Sequence, residues 1–317
     1  MSTSRADVAE GLATVLGGAE IVDLRQLSGG ASRETWSFAA RAADDQRESL
    51  ILQRQRPGSE RDMAVEVAVL RVARTAGVPV AEVVASGPGD DALGAAYMVV
   101  RRVEGETIAR KILRDEEFAR ARTVLPGQLG RALAALHQLP PAAVPELTSV
   151  DQVQQYREAL DLLGEPHPAF ELAFRWLADR RPPPAGEAIV HGDFRLGNVI
   201  VDGDGLAAVL DWELAHVGDP MEDLGWLCVK AWRFGGRGPV AGLGEYRDLF
   251  DAYSGASGRQ VDPEVVRWWE VLGTLKWGIM CIMQASAHLT GASRSHELAA
   301  IGRRVCENEH DLLALMG

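Results

Sequence analysis

The chain has 317 residues, of which 47% are hydrophobic and 25% are charged, a balance that excludes disordered and fibrous proteins. Its formal net charge of −12 argues against nucleic acid or an anionic membrane as a partner, because clustered Lys and Arg hold such partners. Three cysteines without CxxC spacing indicate neither a disulfide framework nor a thiolate metal site, and the absence of a signal segment or membrane span predicts a cytoplasmic protein.

The first third of the chain is rich in short β-type runs. Five runs are bounded by Gly, Pro or polar clusters, as strands are: residues 21–30, 34–40, 49–55, 81–87 and 95–103. One amphipathic helix interrupts them over residues 59–77, with Ser59 as its expected N-cap and Pro79 just beyond its end.

Beyond about residue 105 the pattern becomes mainly helical. Predicted helices cover residues 118–139, 153–163, 170–180, 263–289 and 293–316. Between them lie brief strands within residues 188–212, where the DGDG tract at 202–205 predicts a hairpin turn. A small strand-rich part followed by a larger helical part predicts an α+β protein with two lobes and a cleft between them.

Two polar stretches, HGDFRLGN at 191–198 and DWE at 211–213, carry the groups that a phosphate-transfer centre requires. Such a centre needs a metal ion on the phosphates, a cation on the transferring group and a carboxylate that orients the attacking hydroxyl. Asp193 is the predicted carboxylate, and Asn198 and Asp211 supply the oxygen ligands that Mg²⁺ prefers. Arg195 is the predicted cation that meets the developing negative charge.

These stretches resemble the catalytic and metal-binding segments of the aminoglycoside phosphotransferase and choline kinase-like family, relatives of the protein kinases. With LSGGASRETW, LQRQRPG, GVPV and LDWELAHVGDPMEDLGW, the chain is similar over its whole length to phosphotransferase domains related to those fused to acyl-CoA dehydrogenases. The resemblance implies a two-lobe, protein-kinase-like fold. It places a nucleotide-binding N-lobe at residues 1–102, and a C-lobe with the catalytic loop, metal site and acceptor pocket at residues 103–317.

The resemblance also implies how the nucleotide is held. Gly29 and Gly30 correspond to the loop that covers the phosphates, where the backbone must approach oxygen closely. Residues 100–103 resemble the hinge between the lobes, so the backbone at Arg101 and Val103 is expected to bond the purine. The expected co-substrate is ATP, with GTP as the alternative, together with Mg²⁺.

One part of the family pattern is missing. Glu66 stands where the family has the helix glutamate that pairs with a strand lysine, but that lysine position falls on or beside Gln53. Arg54, or Arg56, would then have to hold the α and β phosphates. Because side chains alternate along a strand, Gln53 and Arg54 are expected on opposite faces.

Several polar residues near the two motifs have structural interpretations. His191 is expected to pack and to bond the backbone rather than to transfer protons. Asp219 is expected to cap the next helix, and Asp223 to cap it or to brace the catalytic loop. For Glu213 and His216, a substrate contact and an ordinary solvated turn both stay open.

The C-terminal helices build the acceptor pocket in the family that the chain resembles. The segment at 271–284, VLGTLKWGIMCIMQ, is apolar apart from Lys276, whereas acidic residues would suit a cationic aminosugar. Trp268, Trp269 and Trp277 are expected in the core, with an aromatic wall for an apolar acceptor as the alternative.

We therefore expect an ATP-dependent small-molecule O-phosphotransferase, a monomer or a homodimer, whose acceptor is a hydroxyl compound of hydroxyacyl type. The alternatives are an aminoglycoside phosphotransferase and a catalytically idle nucleotide-binding pseudokinase module, which the missing lysine favours. A metal-dependent hydrolase would leave Asn198 and the Gly-rich hairpin without a role.

Overall fold

The computed structural model describes residues 4–27, 33–41, 46–56, 62–89 and 92–317. Gly29 and Gly30, predicted to cover the phosphates, and Ser59, the predicted helix cap, lie outside these residues.

Strands predominate in the first part of the chain, where the structure describes two helices, and helices dominate the rest. In chain order the elements are α1 (Arg5–Val15), β1 (Glu20–Leu27), β2 (Arg33–Arg41), β3 (Arg47–Gln55), α2 (Met63–Thr75), β4 (Val83–Gly87), β5 (Tyr97–Arg101), α3 (Ala109–Arg114), α4 (Ala119–His137), α5 (Gln152–Leu163), α6 (Pro168–Asp179), β6 (Ala188–Val190), β7 (Val199–Asp202), β8 (Gly205–Val209), β9 (His216–Gly218), α7 (Met221–Cys228), α8 (Tyr246–Ser257), α9 (Pro263–Leu289), α10 (His296–Ile301) and α11 (Val305–Met316).

The N-terminal lobe is an antiparallel sheet of five strands in the order β1-β2-β3-β5-β4. Helix α1 covers one face, where Val8 and Leu12 pack with Leu50 and Leu52 of β3. Helix α2 covers the other face, against which Ile51 packs. The alternation of β3 therefore assigns even-numbered residues to the α1 face and odd-numbered residues to the α2 face.

Helix α1 was not expected from the apolar pattern. Its start is fixed by a capping box, in which the Ser4 hydroxyl accepts the Asp7 N–H at 3.2 Å and the Asp7 carboxylate accepts the Ser4 N–H at 3.0 Å. The helix buries Val8, Gly11 and Leu12.

The C-terminal lobe is built around α9, a helix of 27 residues, 14 of them buried. Gly225 of α7 lets the two helices approach closely, because a Cβ at this position would lie 2.5 Å from the Cβ of Trp269. Within the described ranges, no helix has both the length and the apolar character of a membrane-spanning segment. The two unlike lobes confirm the predicted α+β class.

Two helix predictions need correction, one in its ends and one in its continuity. The helix predicted over 59–77 spans Met63–Thr75, and its N-cap is Asp62, which accepts the Ala64 N–H at 2.8 Å. The helix predicted over 293–316 is broken into α10, a single 3₁₀ turn and α11. The break coincides with a close approach of Gly302 to α9, where an added Cβ would lie 2.6 Å from the Cβ of Ala285.

Candidate active site

The predicted catalytic loop and the predicted metal residues are joined by the β7–β8 hairpin. The Asp202 carboxylate accepts the Asp204 and Gly205 amides at 2.8 and 3.0 Å, so the DGDG tract forms the tight turn expected of it. At the open end of the hairpin, the Leu210 N–H donates to the Asn198 carbonyl at 2.8 Å. The hairpin therefore brings the Asn198 backbone next to Asp211.

Asp193 receives hydrogen bonds from three side chains. Its Oδ2 accepts from Asn198 Nδ2 at 2.6 Å, and its Oδ1 accepts from Arg195 Nε at 3.0 Å and from the indole N–H of Trp226 at 2.8 Å. Asn198 Nδ2 also donates to the Asp193 carbonyl at 3.0 Å. Because the amide nitrogen of Asn198 serves Asp193, the amide oxygen is the atom left to face a metal ion.

The loop in front of Asp193 is held from beneath by Asp223. This carboxylate accepts the His191 and Gly192 amides at 2.7 and 2.9 Å and a bond from His137 at 3.1 Å. Burial acts to raise the pKa of Asp223, but the bonds from His137 and the loop amides outweigh it and lower that pKa. Asp223 therefore braces the catalytic loop as an ionised carboxylate, one of its two expected roles.

His191 is fully buried and bonds the backbone on both sides of its ring. Nε2 lies 2.9 Å from the Leu210 carbonyl, and Nδ1 accepts the Asp193 N–H at 3.2 Å. Burial lowers the pKa of His191, so the ring is neutral. It joins the Asp193 loop to the strand end before Asp211, as a packing residue.

Asp211 is a solvent-accessible carboxylate in an acidic neighbourhood. Partial desolvation, with the charges of Glu213 and Asp193, raises its pKa to about 6, and Arg33 opposes this shift. Its backbone adopts φ 63°, a left-handed conformation that strains a residue with a Cβ. A divalent cation would neutralise this cluster, and Mg²⁺ is usually held by one or two protein oxygens together with phosphates and water. Asn198 and Asp211 fit that requirement.

Arg195 folds back over Asp193. Its Nε donates to the Asp193 carboxylate, and its guanidinium carbon lies 4.8 Å from the centre of the Trp232 ring. Trp232 packs in turn against Trp226 and Trp277, with ring centres 5.1 and 4.7 Å apart. Trp277 thus belongs to an aromatic cluster that supports Arg195.

The helix glutamate Glu66 has a partner that the sequence did not reveal. Arg33 of β2 donates from Nη1 to Glu66 Oε1 at 2.8 Å and to Gln53 Oε1 at 2.9 Å. Its Nη2 lies 3.3 Å from Glu213 Oε2, so Glu213 contacts the sheet rather than lying in a solvated turn. Arg33 thereby links β2 and α2 of the N-lobe to the DWE segment.

Arg54 is not brought to this cluster. It lies on the α1 face of β3, with Nη1 3.6 Å from Glu34, whereas Gln53 faces Glu66. The expected alternation is confirmed, and it separates Arg54 from the cleft side of the sheet. The sequence carries no local signal for this contact, because it depends on the register of β2 against β3, in which Arg33 pairs with Gln55 and so shares the face of Gln53.

The two predicted hinge residues, Arg101 and Val103, differ in their backbone hydrogen bonds. Arg101 ends β5, its amide donates to the Glu82 carbonyl at 2.8 Å, and its side chain bonds Glu48 and Glu82. Val103 follows in an irregular segment, and among the described residues none accepts a hydrogen bond from its amide. The Val103 backbone is thus the better placed of the two for a ligand.

A buried lysine lies beneath the catalytic loop. Lys276 of α9 is 6% exposed, with Nζ 3.4 Å from the Gly192 carbonyl and 4.7 Å from the centre of the Trp226 ring. Burial, with the charges of Glu222 and Asp193, raises the pKa of nearby Tyr156. The surroundings of Asp193 therefore combine aromatic rings with a buried cation.

The other two tryptophans of α9 differ in how deeply they are buried. Trp268 is buried in the core and donates its indole N–H to the Leu177 carbonyl at 3.0 Å, as core packing predicts. Trp269 is partly buried between two hydrophobic clusters. Nε2 of His216 lies 3.1 Å from Oε2 of Glu222, so the imidazole makes a hydrogen bond inside the protein.

The sequence profile of the phosphotransferase enzyme family matches residues 23–269. Among curated proteins, acyl-CoA dehydrogenase family member 10 of Mus musculus is 28% identical over 229 residues, 66% of this chain and 20% of that protein. Family member 11 of Gallus gallus is 29% identical over 166 residues, 48% of this chain and 21% of that protein. The matching region thus spans about a fifth of these relatives.

Solved structures share the fold at low sequence identity. A Ralstonia eutropha protein classed provisionally as an aminoglycoside phosphotransferase is 18% identical, with TM-score 0.77 over 99% of this chain and 98% of its own. A choline/ethanolamine kinase family protein of Mesorhizobium loti is 21% identical, with TM-score 0.67 over 98% and 94%. The GDP complex of aminoglycoside 2'-phosphotransferase-IIIa is 14% identical, with TM-score 0.70 over 98% and 99%. These likenesses confirm the predicted two-lobe, kinase-like fold.

Proposed function

The chain belongs to the phosphotransferase enzyme family, and on that premise we propose that it moves the γ-phosphoryl group of ATP to the hydroxyl of a small molecule. The observation that supports this most is the joining of Asp193, Asn198 and Asp211 by the Asn198 side chain and the Leu210–Asn198 backbone bond. Structural neighbours were solved with GDP and with AMP-PNP, so GTP is the alternative donor.

In this proposal Asp193 accepts a hydrogen bond from the acceptor hydroxyl and takes its proton. The hydroxyl oxygen forms a bond to the γ-phosphorus, the bond from that phosphorus to the bridging oxygen breaks, and ADP leaves with the electron pair. Arg195, 3.0 Å from Asp193, stabilises the charge on the transferring group. Asn198 and Asp211 would hold Mg²⁺, which when bound would neutralise the charge of the phosphates.

The N-lobe, residues 1–102, is proposed to bind the nucleotide, and residues 103–317 to supply the catalytic loop and acceptor pocket. Gly29 and Gly30 are the proposed cover of the phosphates. At the hinge the Val103 amide is the proposed donor to the purine, because the Arg101 amide already bonds the Glu82 carbonyl. Arg54, on the α1 face beside Glu34, has no phosphate role in this proposal.

The acceptor is proposed to be a partly apolar hydroxyl compound of hydroxyacyl type. The buried rings of Trp226 and Trp232 pack directly against Asp193 and Arg195. Lys276, 3.9 Å from Glu222, is the one basic residue in the segment 271–284, which has no acidic residue to attract a cationic aminosugar. The curated relatives carry acyl-CoA dehydrogenase names, which fits an acyl compound. An aminoglycoside acceptor is therefore the second choice.

Turnover by the Asp193→Asn variant tests the proposal against an idle pseudokinase module. ADP release is measured with hydroxyacids, their CoA thioesters, amino alcohols and aminoglycosides as acceptors. We expect the wild type to turn over, and Asp193→Asn to lose several powers of ten in kcat while it still binds Mg-ATP. Asp202→Asn, which changes the exposed hairpin turn, is the control with normal kcat.

Wild-type binding of Mg-ATP without turnover on any acceptor would favour the pseudokinase module. A normal rate for Asp193→Asn would remove Asp193 from the mechanism.

A further inference from the structure

Arg33 is held beside Gln53 and Glu66, at the position where the family has its paired lysine and glutamate. Its side chain is 12% exposed and lies between Glu66 of α2, which is 5% exposed, and Glu213 of the DWE segment. Gln53, at the lysine position of the family, points to the same place and accepts a bond from Arg33 at 2.9 Å. The neutral side chain on β3 is thus paired with a cation from the neighbouring strand.

The charges around Arg33 indicate what it can bind. Its guanidinium bonds the carboxylate of Glu66 and lies 3.3 Å from that of Glu213, which follows Asp211 by two residues. Arg33 therefore lies within electrostatic range of the proposed metal carboxylate. A cation beside the DWE segment is near enough to attract the phosphates of a nucleotide whose Mg²⁺ Asp211 would hold.

The hydrogen-bonding capacity of Arg33 leaves room for a further acceptor. A guanidinium has five N–H donors, and the contacts to Glu66, Gln53 and Glu213 involve Nη1 and Nη2. The Nε–H is not used in these contacts, and the 3.3 Å contact to Glu213 is the longest of them. A phosphate oxygen can bond Nε–H and can replace Glu213 at Nη2.

We propose that Arg33 of β2 replaces the missing β3 lysine as the residue that binds the nucleotide phosphates, with Glu66 and Gln53 holding its guanidinium in place. This inference rests on the proposed function, because it assumes that the cleft binds a nucleoside triphosphate with Mg²⁺. It differs from the sequence prediction, which assigned the phosphates to Arg54 or Arg56.

Binding of ATP and of adenosine to the full chain with Mg²⁺, measured by calorimetry, tests the role of Arg33. Arg33→Met is expected to weaken ATP binding about tenfold to a hundredfold, as for loss of a charge-assisted bond. Adenosine binding is expected to stay near the wild-type value, because adenosine has no phosphate. The matched control is Arg41→Met on the same strand, which removes an ion pair with Glu20 far along the sheet.

A rescue variant separates phosphate binding from structural support. Arg33→Met with Gln53→Lys restores a lysine on β3 beside Glu66, and we expect it to regain most of the ATP affinity. If Arg33→Met does not fold because Glu66 is left buried without a partner, Arg33→Gln with Glu66→Gln removes both charges. That variant is expected to lose ATP affinity and to retain adenosine binding.

The outcomes are distinct. Normal ATP binding by a folded Arg33 variant, or equal losses for ATP and adenosine, would overturn the role of Arg33 while the proposed function stood. A loss of ATP binding in Arg54→Met but not in Arg33→Met would return the role to Arg54. A wild type that binds neither ATP nor GTP would refute the proposed function and this inference together.

Discussion

Trp226 donates its indole N–H to the Asp193 carboxylate at 2.8 Å. Trp226 lies on α7, three residues after Asp223, which braces the same loop from beneath. One short helix thus fixes both the backbone of the catalytic loop and the direction of the Asp193 carboxylate. A base must be aimed at the hydroxyl it orients, so this bond has a consequence for turnover.

Replacing Trp226 by Phe removes the donor and keeps an aromatic ring. We expect kcat to fall about tenfold or more, the size expected for loss of a bond to a charged group, with the KM for ATP nearly unchanged. Steady-state kinetics measure both constants. Trp268→Phe is the matched control, since it deletes an indole bond to a core carbonyl and should lower the melting temperature with kcat retained. Equal effects of the two variants on kcat would contradict the positioning role.

The pKa of Asp211 predicts how the need for Mg²⁺ varies with pH. A carboxyl with a pKa of about 6 is increasingly protonated below pH 6, and protons then compete with the metal ion. We expect the KM for Mg²⁺ to be nearly constant above pH 7 and to rise about tenfold per pH unit well below pH 6. Activity titrations with Mg²⁺ between pH 5 and 8 measure this.

Glu213 supplies the internal control for that titration. Its charge helps to raise the pKa of Asp211, so Glu213→Gln should move the midpoint of the Mg²⁺ profile to lower pH. A midpoint that stays in place, or moves to higher pH, would show that another group controls the profile.

The parts of the site that could be predicted are local in sequence. HGDFRLGN and DWE carry Asp193, Asn198 and Asp211 within one loop and one hairpin, so their spacing already limits where they can lie. The role of Arg33 could not be predicted in this way, because its contact with Glu66 joins a strand to a helix more than thirty residues away. The faces of Gln53 and Arg54 followed from alternation, but which face is the cleft depends on where α1 and α2 pack.

Helix boundaries also differ in whether their cause is local in sequence or tertiary. The start of α1 was readable from Ser4 and Asp7, whose capping box is local, although the apolar pattern of the helix is weak. The break between α10 and α11 has a tertiary cause, because Gly302 meets Ala285 of α9. Such contacts between distant elements leave no periodic signal in the sequence.

Replacing glycine by alanine is expected to have opposite effects on stability at two helical positions, Gly225 and Gly255. Gly225 of α7 faces α9, and an added Cβ would lie 2.5 Å from Trp269 Cβ and 2.8 Å from the Glu270 nitrogen. Because backbone cannot move aside, Gly225→Ala is expected to destabilise by about 1–3 kcal/mol. Gly255 of α8 has open space around it, so Gly255→Ala should stabilise by up to about 1 kcal/mol. Urea denaturation of both variants measures the difference, and stabilisation by Gly225→Ala would contradict the close packing of α7 on α9.

Glu270 predicts a pH dependence of stability that is separate from the active site. Burial raises its pKa to about 7, although bonds from Tyr246 and Arg233 oppose the shift. Between the unfolded pKa of 4.5 and about 7, the unfolded chain has lost the proton that the folded protein retains. As pH rises through this window, the contribution of Glu270 to the free energy of unfolding therefore falls by up to about 3 kcal/mol. Above about pH 7 the contribution is constant.

Glu270→Gln cannot ionise, so its stability relative to the wild type should increase from pH 4.5 to pH 7 and then level off. Denaturation of both proteins at a series of pH values gives this difference, which cancels the titration of all other groups. Glu264→Gln, in the first turn of the same helix, is the comparison variant at an exposed position. A flat difference for Glu270→Gln would mean that Arg233 and Tyr246 compensate the burial of the charge completely, whereas a decrease would mean that they overcompensate it.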